Sequence, residues 1–338
     1  MNGDELVCVI TTIQEPTPSA RRMAERVAGA GGSLIVVGDQ KGPAKFQLPG
    51  ARFVPLAEQV GLPFRLAPLL PTGHYVRKNL GYLLAFAAGA RCIYETDDDN
   101  APRDGWSVRS ATVDVAQVDA PGWFNVYHLF TDRVIWPRGF PLNKARDAVG
   151  RPGLSRVRVE SAIQQELANV APDVDAAWRL AIGNEPFAFD DGRPGVRLAA
   201  GTWCPFNSQA TWWFPPAFVL MYLPSTCTFR MTDIWRSFVA QRCLWELGQG
   251  VTFHGPSVEQ ERNPHDLMRD FADEVPGYLN NERIARMLDA LTLQPGPGGV
   301  ADNLVRCYEA LVAGGILRAE EMPMVRAWVA DVTQPRGA

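Results

Sequence analysis

The first hundred residues alternate short apolar runs with helical patterns. Continuous apolar and β-branched runs predict buried strands, and apolar residues at helical spacing between Pro and Gly predict helices. The strands are predicted at residues 5–13, 33–39, 52–56 and 91–100, and the helices at 16–32 and 75–90. Strands that alternate with helices indicate an α/β fold with a parallel sheet, whose ligand sites lie beyond the carboxyl ends of the strands.

The rest of the chain is less regular. Residues 120–260 are rich in Trp, Phe and Pro, which predicts a mixed sheet with long binding loops. Residues 232–248 have the apolar stripe of a helix, and we expect Thr232 or Asp233 at its N-cap and Gly248 at its end. From about residue 280 the chain shows three helical patterns that are interrupted at 294–299.

Composition narrows the classes of function. The chain has 338 residues, 46% apolar and 21% charged, with a net charge of −4 and a pI near 5.7. This charge argues against broad binding to nucleic acid or to anionic membranes. The sequence shows neither a signal-peptide pattern nor an apolar run of about eighteen residues, so we expect a cytoplasmic protein without a transmembrane segment. Its six cysteines lie in apolar contexts without a CxxC pair, and we expect reduced core thiols.

Three of the predicted strands end in polar residues, namely Thr11 and Thr12, then Asp39, then the triplet Asp97 to Asp99. In a parallel sheet these ends meet at one edge, so a nucleotide site is expected there. Adjacent carboxylates repel one another, and a divalent cation relieves that repulsion. Mg²⁺ and Mn²⁺ take one or two carboxylates together with substrate phosphates. Strand alternation would point Asp97 and Asp99 to the same side. A solvated acidic turn that caps the next segment explains the same residues.

Six blocks of the sequence resemble, in order, blocks of the STELLO-type glycosyltransferases. They are YVRKNLGYLLAFAAGARCIYETDDDN (75–100), WPRGFPL (136–142), PDVDAAWRL (172–180), CPFNSQATWW (204–213), RMTDIWRSFVAQRCLWE (230–246) and QERNPHDLMRDFADE (260–274). The stretch PDVDA also resembles one in the reversibly glycosylated polypeptides, the UDP-arabinopyranose mutases. The resemblance implies a GT-A fold, a nucleotide-sugar donor and a divalent cation, Mn²⁺ or Mg²⁺, at a DxD-type motif.

The same resemblance suggests a division of the chain. A GT-A catalytic domain with a mixed central sheet would occupy residues 1–278, with a nucleotide-binding half at 1–110 and an acceptor and sugar half at 111–278. A helical appendage would follow at residues 279–338.

Within this resemblance, one group of residues is expected to bind the donor and the cation. Thr11, Thr12 and Asp39 would lie beside the base and ribose, although each could instead cap a turn. Arg77, Lys78 and Asn79 open a helix whose positive end would hold the diphosphate, with a solvated basic turn as the alternative. Arg262 would also contact the diphosphate. The expected cation ligands are Asp99, Asp97 and His254. Asp97 could also bridge to the ribose, together with Asp98. His254 could instead be a structural histidine.

A second group would handle the sugar and the acceptor. Asp173 and Asp175 could bind donor-sugar hydroxyls with Arg179 facing phosphate, or they could form a helix N-cap with an internal ion pair. Asn207, Ser208 and Gln209 next to Trp203, Trp212 and Trp213 suggest a sugar subsite, and ordinary core tryptophans beside a loop explain them as well. Asp233 is expected to be the catalytic base, with a structural N-cap aspartate as the alternative.

Together, these expectations describe a metal-dependent glycosyltransferase that moves a sugar from a nucleotide-sugar donor to a carbohydrate or glycan acceptor. Inversion of the anomeric configuration is favoured. Two alternatives stay open, a sugar-nucleotide mutase or self-glycosylating protein, and a non-catalytic sugar-nucleotide-binding protein. Nucleic acid is not an expected partner. Peripheral contact with a membrane stays open, with the aromatic residues near 212–219 as candidates.

Overall fold

The computed structural model describes residues 5–145, 153–262 and 266–333. Thirteen strands are seen in this part of the chain: β1 (Leu6–Thr12), β2 (Ser33–Gly38), β3 (Ala51–Val54), β4 (Cys92–Thr96), β5 (Asn100–Pro102), β6 (Thr112–Val118), β7 (Gly122–Trp123), β8 (Leu154–Glu160), β9 (Ile163–Asn169), β10 (Val196–Leu198), β11 (Thr202–Trp203), β12 (Ala210–Trp213) and β13 (Thr252–Gln260). The α-helices of the same part are α1 (Pro18–Gly29), α2 (Leu56–Gln59), α3 (Lys78–Ala87), α4 (Ala176–Ala181), α5 (Thr232–Trp245), α6 (Leu267–Asp289), α7 (Val300–Ala313) and α8 (Glu321–Thr333).

Eleven of these described strands form one mixed sheet, in the order β3-β2-β1-β4-β12-β9-β13-β10-β6-β8, with β5 paired to β13. The N-terminal strands pair in parallel, β1 with both β2 and β4 and β2 with β3. β12 is antiparallel to both of its neighbours, β4 and β9. This mixed α/β architecture confirms the predicted fold class and is consistent with a GT-A-like fold.

The N-terminal elements form for the reasons read from the sequence. Thr17 caps α1 because its hydroxyl accepts a hydrogen bond from the amide of Ala20 at 3.0 Å, and a proline occupies the first turn. In α3, Gly81 allows the helix to lie directly on the sheet, since a Cβ there would be 2.5 Å from Val9 Cγ1. The helix therefore packs closely on β1 and covers one face of the sheet.

One edge of the sheet collects several strand termini. The carboxyl ends of β1, β2 and β4 lie together because these strands are parallel. Since β12 runs the other way, its first residue, Ala210, pairs with Thr96 at the end of β4. β9 and β13 are parallel to each other and antiparallel to β12, so their carboxyl ends reach the same edge. The strand order thus brings the carboxyl ends of β1, β2, β4, β9 and β13 and the start of β12 to the same edge of the sheet.

The C-terminal helices pack on the outside of this framework. The Trp328 ring of α8 contacts Phe86 of α3 at a centroid distance of 5.8 Å, and its indole N–H donates to the carbonyl of Val219 at 2.7 Å. Buried residues of α7 and α8 belong to the same apolar cluster as those of α3 and α5. Helix α6 runs across residues 278 and 279, the position at which the sequence suggested a division.

Several smaller expectations are settled by the fold. The N-cap position of α5 is Met231, which has no capping side chain, so Thr232 and Asp233 lie inside the first turn. All six cysteines lie in the described part and are not in disulfide bonds; five are buried and Cys227 is half-buried.

No helix in the described ranges has the length and apolarity needed to cross a bilayer. The aromatic residues near 212–219 are buried, so they do not form the exposed membrane contact suggested from the sequence.

Candidate functional site

A cleft of about 740 Å³ opens at the sheet edge where the strand ends meet. Its floor comes from the ends of β1, β2 and β4 and the segment before β12, and its walls come from residues near 138, 173, 230 and the start of α6. Residues of both groups predicted from the sequence line it: Thr11, Thr12, Asp39, Arg77, Asp97, Asp98, Asp99, Asp173, Arg179, Asn207, Gln209, Asp233 and Arg262. The distant segments that the resemblance grouped therefore converge on one surface.

The acidic triplet is a turn. β4 ends at Thr96, and the amide of Asn100 donates to the Asp97 carbonyl at 3.3 Å. Because the strand has ended, the alternation expected for Asp97 and Asp99 does not apply, and all three carboxylates line the cleft. Asp97 Oδ1 accepts from Lys78 Nζ at 3.0 Å, and Asp98 Oδ2 accepts from Thr12 Oγ1 at 2.5 Å. Both side chains are thus oriented by neighbouring elements.

Asp99 differs from its two neighbours. Its Oδ2 accepts from Gln260 Nε2 at 3.0 Å, whereas its Oδ1 is buried with no hydrogen-bond partner in the described part of the chain. Burial first, and then the charges of Asp97 and Asp98, raise the pKa of Asp99 to about 7. A buried carboxylate oxygen without a donor requires an explanation, and a bound ion or an ordered water is one of those known for such groups.

The carboxylates of this turn fit a cation that takes further ligands from a substrate. No group of three or more His, Cys, Asp or Glu side chains suited to hold a metal ion occurs among the described residues. Mg²⁺ and Mn²⁺ commonly use one or two carboxylates and complete their shell with phosphate oxygens and water. Asp97 and Asp99 are the carboxylates of the turn that would supply these one or two protein ligands, although Asp97 Oδ1 is already bonded to Lys78 and Tyr75.

Around the expected base and ribose site, Asp39 has a structural task. Its two carboxylate oxygens accept from the amides of Gly73 and His74, each at 2.8 Å. Asp39 therefore fixes the turn before α3, which corresponds to the turn-capping alternative, while it still lines the cleft together with Thr11.

The basic start of α3 is mostly internal. Asn79 is fully buried and exchanges hydrogen bonds with the backbone of Leu223, so the structure does not place it at the cleft. Lys78 is also fully buried and reaches the acidic turn through Asp97. Arg77 lines the cleft, but its guanidinium donates to Gln59 Oε1 and to the carbonyl of Leu70 at 3.0 Å. Lys78 therefore supports the acidic turn, while Arg77 and Asn79 hold neighbouring backbone, and the solvated basic turn does not form.

An arginine that sequence reasoning did not assign joins two predicted site carboxylates. Arg138 donates to Asp173 at 2.7 and 3.0 Å and to Asp233 at 2.8 and 3.0 Å. Asn207 Nδ2 donates to Asp173 Oδ2 at 2.8 Å and completes the group. The only sequence signal for Arg138 was its position in the block at 136–142, since nothing local marks a buried arginine as a bridge.

This bridge sets the ionisation of Asp233. Burial disfavours the carboxylate, but the guanidinium of Arg138, through charge and hydrogen bonds, outweighs burial and lowers the pKa of Asp233 to about 2. Ser208 adds an amide donor to Asp233 Oδ2 at 3.3 Å. A carboxylate held in this way is ionised, and it accepts a proton readily only when Arg138 moves away.

Asp175 and Arg179 have other roles than the sequence suggested. Asp175 does not line the cleft; it caps α4 through the amide of Trp178 and also accepts from the indole of Trp136, both at 2.7 Å. This is the N-cap alternative. Arg179 lines the cleft and donates to Asn184 and to the carbonyl of Pro172, not to Asp175. Burial and then the charge of Arg262 lower the pKa of Arg179 to about 10.

His254 lies away from the acidic turn. It is the third residue of β13, six positions before Gln260, which corresponds to about 20 Å of strand. Its ring is buried against Gln164 Oε1 at 2.9 Å, and burial lowers its pKa to about 3. The structure therefore does not bring His254 to the predicted cation site, because β13 enters the sheet at the opposite edge.

The three tryptophans of the suggested sugar subsite belong to the core. Trp203, Trp212 and Trp213 are at most 2% exposed, so the aromatic part of the suggested sugar subsite is absent from the cleft. Asn207 and Gln209 do line it. Further lining residues that the sequence did not single out include Tyr75, Phe229, Arg230 and Gln260.

Comparison with known proteins shows which sequences this chain is similar to. Residues 230–336 match the sequence model of the STELLO glycosyltransferases. The chain is 30% identical to the probable glycosyltransferase STELLO2 of Arabidopsis thaliana and 26% identical to the probable glycosyltransferase STELLO1 of the same plant. Each alignment covers 96% of this chain and 44% of the relative, so the chain spans less than half the length of these relatives. These matches confirm the resemblance seen in the sequence blocks: over nearly its whole length the chain is similar to the STELLO-type glycosyltransferases.

Proposed function

We propose that this chain transfers a sugar from a nucleoside diphosphate sugar to a hydroxyl of a carbohydrate acceptor, with a divalent cation. One observation carries the proposal: the buried Asp99 Oδ1, which has no hydrogen-bond partner among the described residues, lies in the same cleft as the Arg138-linked carboxylates Asp173 and Asp233. A cation and a diphosphate would bind at the acidic turn, and the sugar and the acceptor would bind at the opposite wall, beside Asp173 and Asp233. The STELLO relationship supports this assignment of ligand classes.

Each part of the cleft then has a chemical task. Asp97 and Asp99 would hold Mn²⁺ or Mg²⁺, which offsets the charge that grows on the departing diphosphate. Thr11 and Thr12 lie where the base and ribose would bind, and Arg262, paired with Asp270 at 2.7 Å, lies beyond Gln260 on the diphosphate side. Asp173 and Asn207, held together by their hydrogen bond, offer an acceptor and a donor group to sugar hydroxyls.

Asp233 is the carboxylate that we propose as the base. The acceptor oxygen would attack the anomeric carbon as its proton passes to Asp233, while the bond to the diphosphate oxygen breaks, and this single displacement inverts the anomeric centre. Asp233 becomes basic enough only when its contact with Arg138 loosens, because that contact lowers its pKa to about 2. Arg138 retains Asp173 as a partner when it does so.

Thermal-shift titration of the full chain tests the donor and the cation. UDP-, GDP-, CMP- and dTDP-sugars are added with and without Mn²⁺ to the wild type and to the double variant Asp97→Asn/Asp99→Asn. A ligand that binds only the folded state stabilises it by about 2.7 kcal/mol at a hundred times its dissociation constant. We expect one nucleotide class to stabilise the wild type only with Mn²⁺, and the double variant to lose this response. The exposed carboxylate of Asp104 supplies the matched control Asp104→Asn, which should respond like the wild type.

Release of nucleoside diphosphate separates the alternatives. A transferase releases it faster when an acceptor is added, a mutase alters the sugar without releasing it, and a non-catalytic binder does neither. A metal-dependent shift that persists in the Asp97→Asn/Asp99→Asn variant would remove the cation site from the proposal.

A further inference from the structure

Phe229 is the exposed aromatic residue of the cleft. This residue is 55% exposed, and among the described residues every other Phe, Trp and Tyr is buried or half-buried. Single exposed apolar residues are common on surfaces and need no explanation. Phe229 differs because it lines a cleft that is otherwise rich in carboxylates, amides and guanidinium groups.

The position of the ring is fixed by its surroundings. Phe229 packs edge-to-face on Tyr75 with centroids 5.5 Å apart, and the Tyr75 hydroxyl donates to Asp97 at 2.9 Å. The next residue, Arg230, pairs with the fully buried Glu274 at 2.6 Å, and Met231 is buried. The segment is therefore held at Tyr75 and at Glu274 of α6, while more than half of Phe229 stays exposed.

Phe229 lies on the same segment as the proposed base. Asp233 follows it four positions later, and both line the cleft. Thr228 Oγ1 donates to the carbonyl of Asp273 at 2.6 Å, which ties α6 to the residue before Phe229, and the half-buried Asp273 also lines the cleft. An apolar ring face beside a carboxylate matches a pyranose, which has one face of C–H groups and hydroxyls at its rim.

We infer that Phe229 and Asp273 form a subsite for the acceptor, in which a pyranose ring stacks on Phe229 and presents a hydroxyl towards Asp233. This inference rests on the proposed function for the role of the bound sugar as acceptor. It assigns to Phe229 the aromatic contact that the buried tryptophans at 203, 212 and 213 do not make.

Saturation-transfer NMR on the full chain tests the subsite directly. The probes are methyl β-glucopyranoside and methyl β-galactopyranoside, and sorbitol serves as a polyol without a ring. The proteins are the wild type, Phe229→Ala and Phe229→Tyr, with Asp273→Asn as a further variant. We expect both pyranosides, but not sorbitol, to bind the wild type. Phe229→Ala should weaken pyranoside binding about tenfold, the size of one aromatic contact, and Phe229→Tyr should preserve it.

The donor titration serves as the second measurement on the same proteins. All variants should keep the wild-type response to the stabilising nucleotide sugar, which also shows that they are folded. Unchanged pyranoside binding in Phe229→Ala, or no pyranoside binding to the wild type, overturns the inference. Loss of the nucleotide-sugar response in Phe229→Ala overturns it too, because the ring then stacks on the donor. If no nucleotide sugar binds, while Phe229→Ala still weakens the binding of pyranosides, the proposed function is wrong and the pyranose subsite at Phe229 is supported.

Discussion

Replacement of Arg236 by Met should destabilise the protein strongly. The guanidinium of Arg236 on α5 forms a bidentate ion pair with Glu95 on β4, at 2.7 and 2.9 Å, and both side chains are fully buried. Glu95 also accepts from the indole of Trp213 at 2.8 Å and from the hydroxyl of Tyr82. These neutral donors keep Glu95 hydrogen-bonded in the variant, but they leave its charge uncompensated.

The size of the effect follows from burial. Removal of one partner of a buried ion pair costs about 3–5 kcal/mol, because the remaining charge loses its counter-ion without regaining water. The exposed pair of Arg156 and Asp114 has an equally short distance of 2.7 Å, but its side chains are 79% and 50% exposed. The matched variant Arg156→Met should therefore cost no more than about 1 kcal/mol.

Urea unfolding followed by tryptophan fluorescence measures both variants. The double variant Arg236→Met/Glu95→Gln should recover most of the lost stability, since it has no buried unpaired charge. A loss below about 1 kcal/mol for Arg236→Met, or no recovery in the double variant, would refute the reasoning. The result also concerns function, because the pair joins α5, which carries Asp233, to β4, which ends at the acidic turn.

Three further outcomes can be measured on the same protein. Burial raises the pKa of Asp175 to about 7, above the value of about 4 in unfolded chains, so the free energy of unfolding should fall as pH rises between these values. Asp175→Asn should flatten that slope in urea unfolding, and an unchanged slope would contradict the assignment. Gly81→Ala should destabilise by about 1–3 kcal/mol, because the new Cβ would be 2.5 Å from Val9 Cγ1, whereas Gly29→Ala meets no atom within 4 Å and should be neutral or stabilising. Equal melting temperatures for these two glycine variants would contradict the packing argument. His254→Gln should keep the Mn²⁺-dependent nucleotide-sugar shift, and its loss would restore His254 as a ligand candidate.

Much of the N-terminal half could be predicted because its signals are local. Apolar runs at 5–13 and 33–39 became β1 and β2 to within a few residues, and the Pro and Gly boundaries of the next helices were recognisable. The position of the acidic triplet after a strand was also local information. Its geometry was not, since a turn at Asp97 could be distinguished from a continuing strand only by the hydrogen bond to Asn100.

The candidate site depended on contacts between distant segments. Arg138 meets Asp173 and Asp233 across 35 and 95 residues, and no periodicity in the sequence encodes such a meeting. His254 was misplaced for the same reason, because the direction in which β13 enters the sheet decides which of its residues reach the cleft.

The sequence by itself determined the α/β class, the family resemblance and the acidic triplet at a strand end, since these depend on local pattern and on shared blocks. The tertiary structure decided that the triplet forms a turn, which carboxylate oxygen is buried without a partner among the described residues, which arginine neutralises Asp233, and which aromatic ring faces the cleft. The physical reason is strand order: with β12 antiparallel between β4 and β9, the ends of β9 and β13 reach the edge where β1, β2 and β4 also end. Burial and charge at this edge are properties of that assembly, and no single segment contains them.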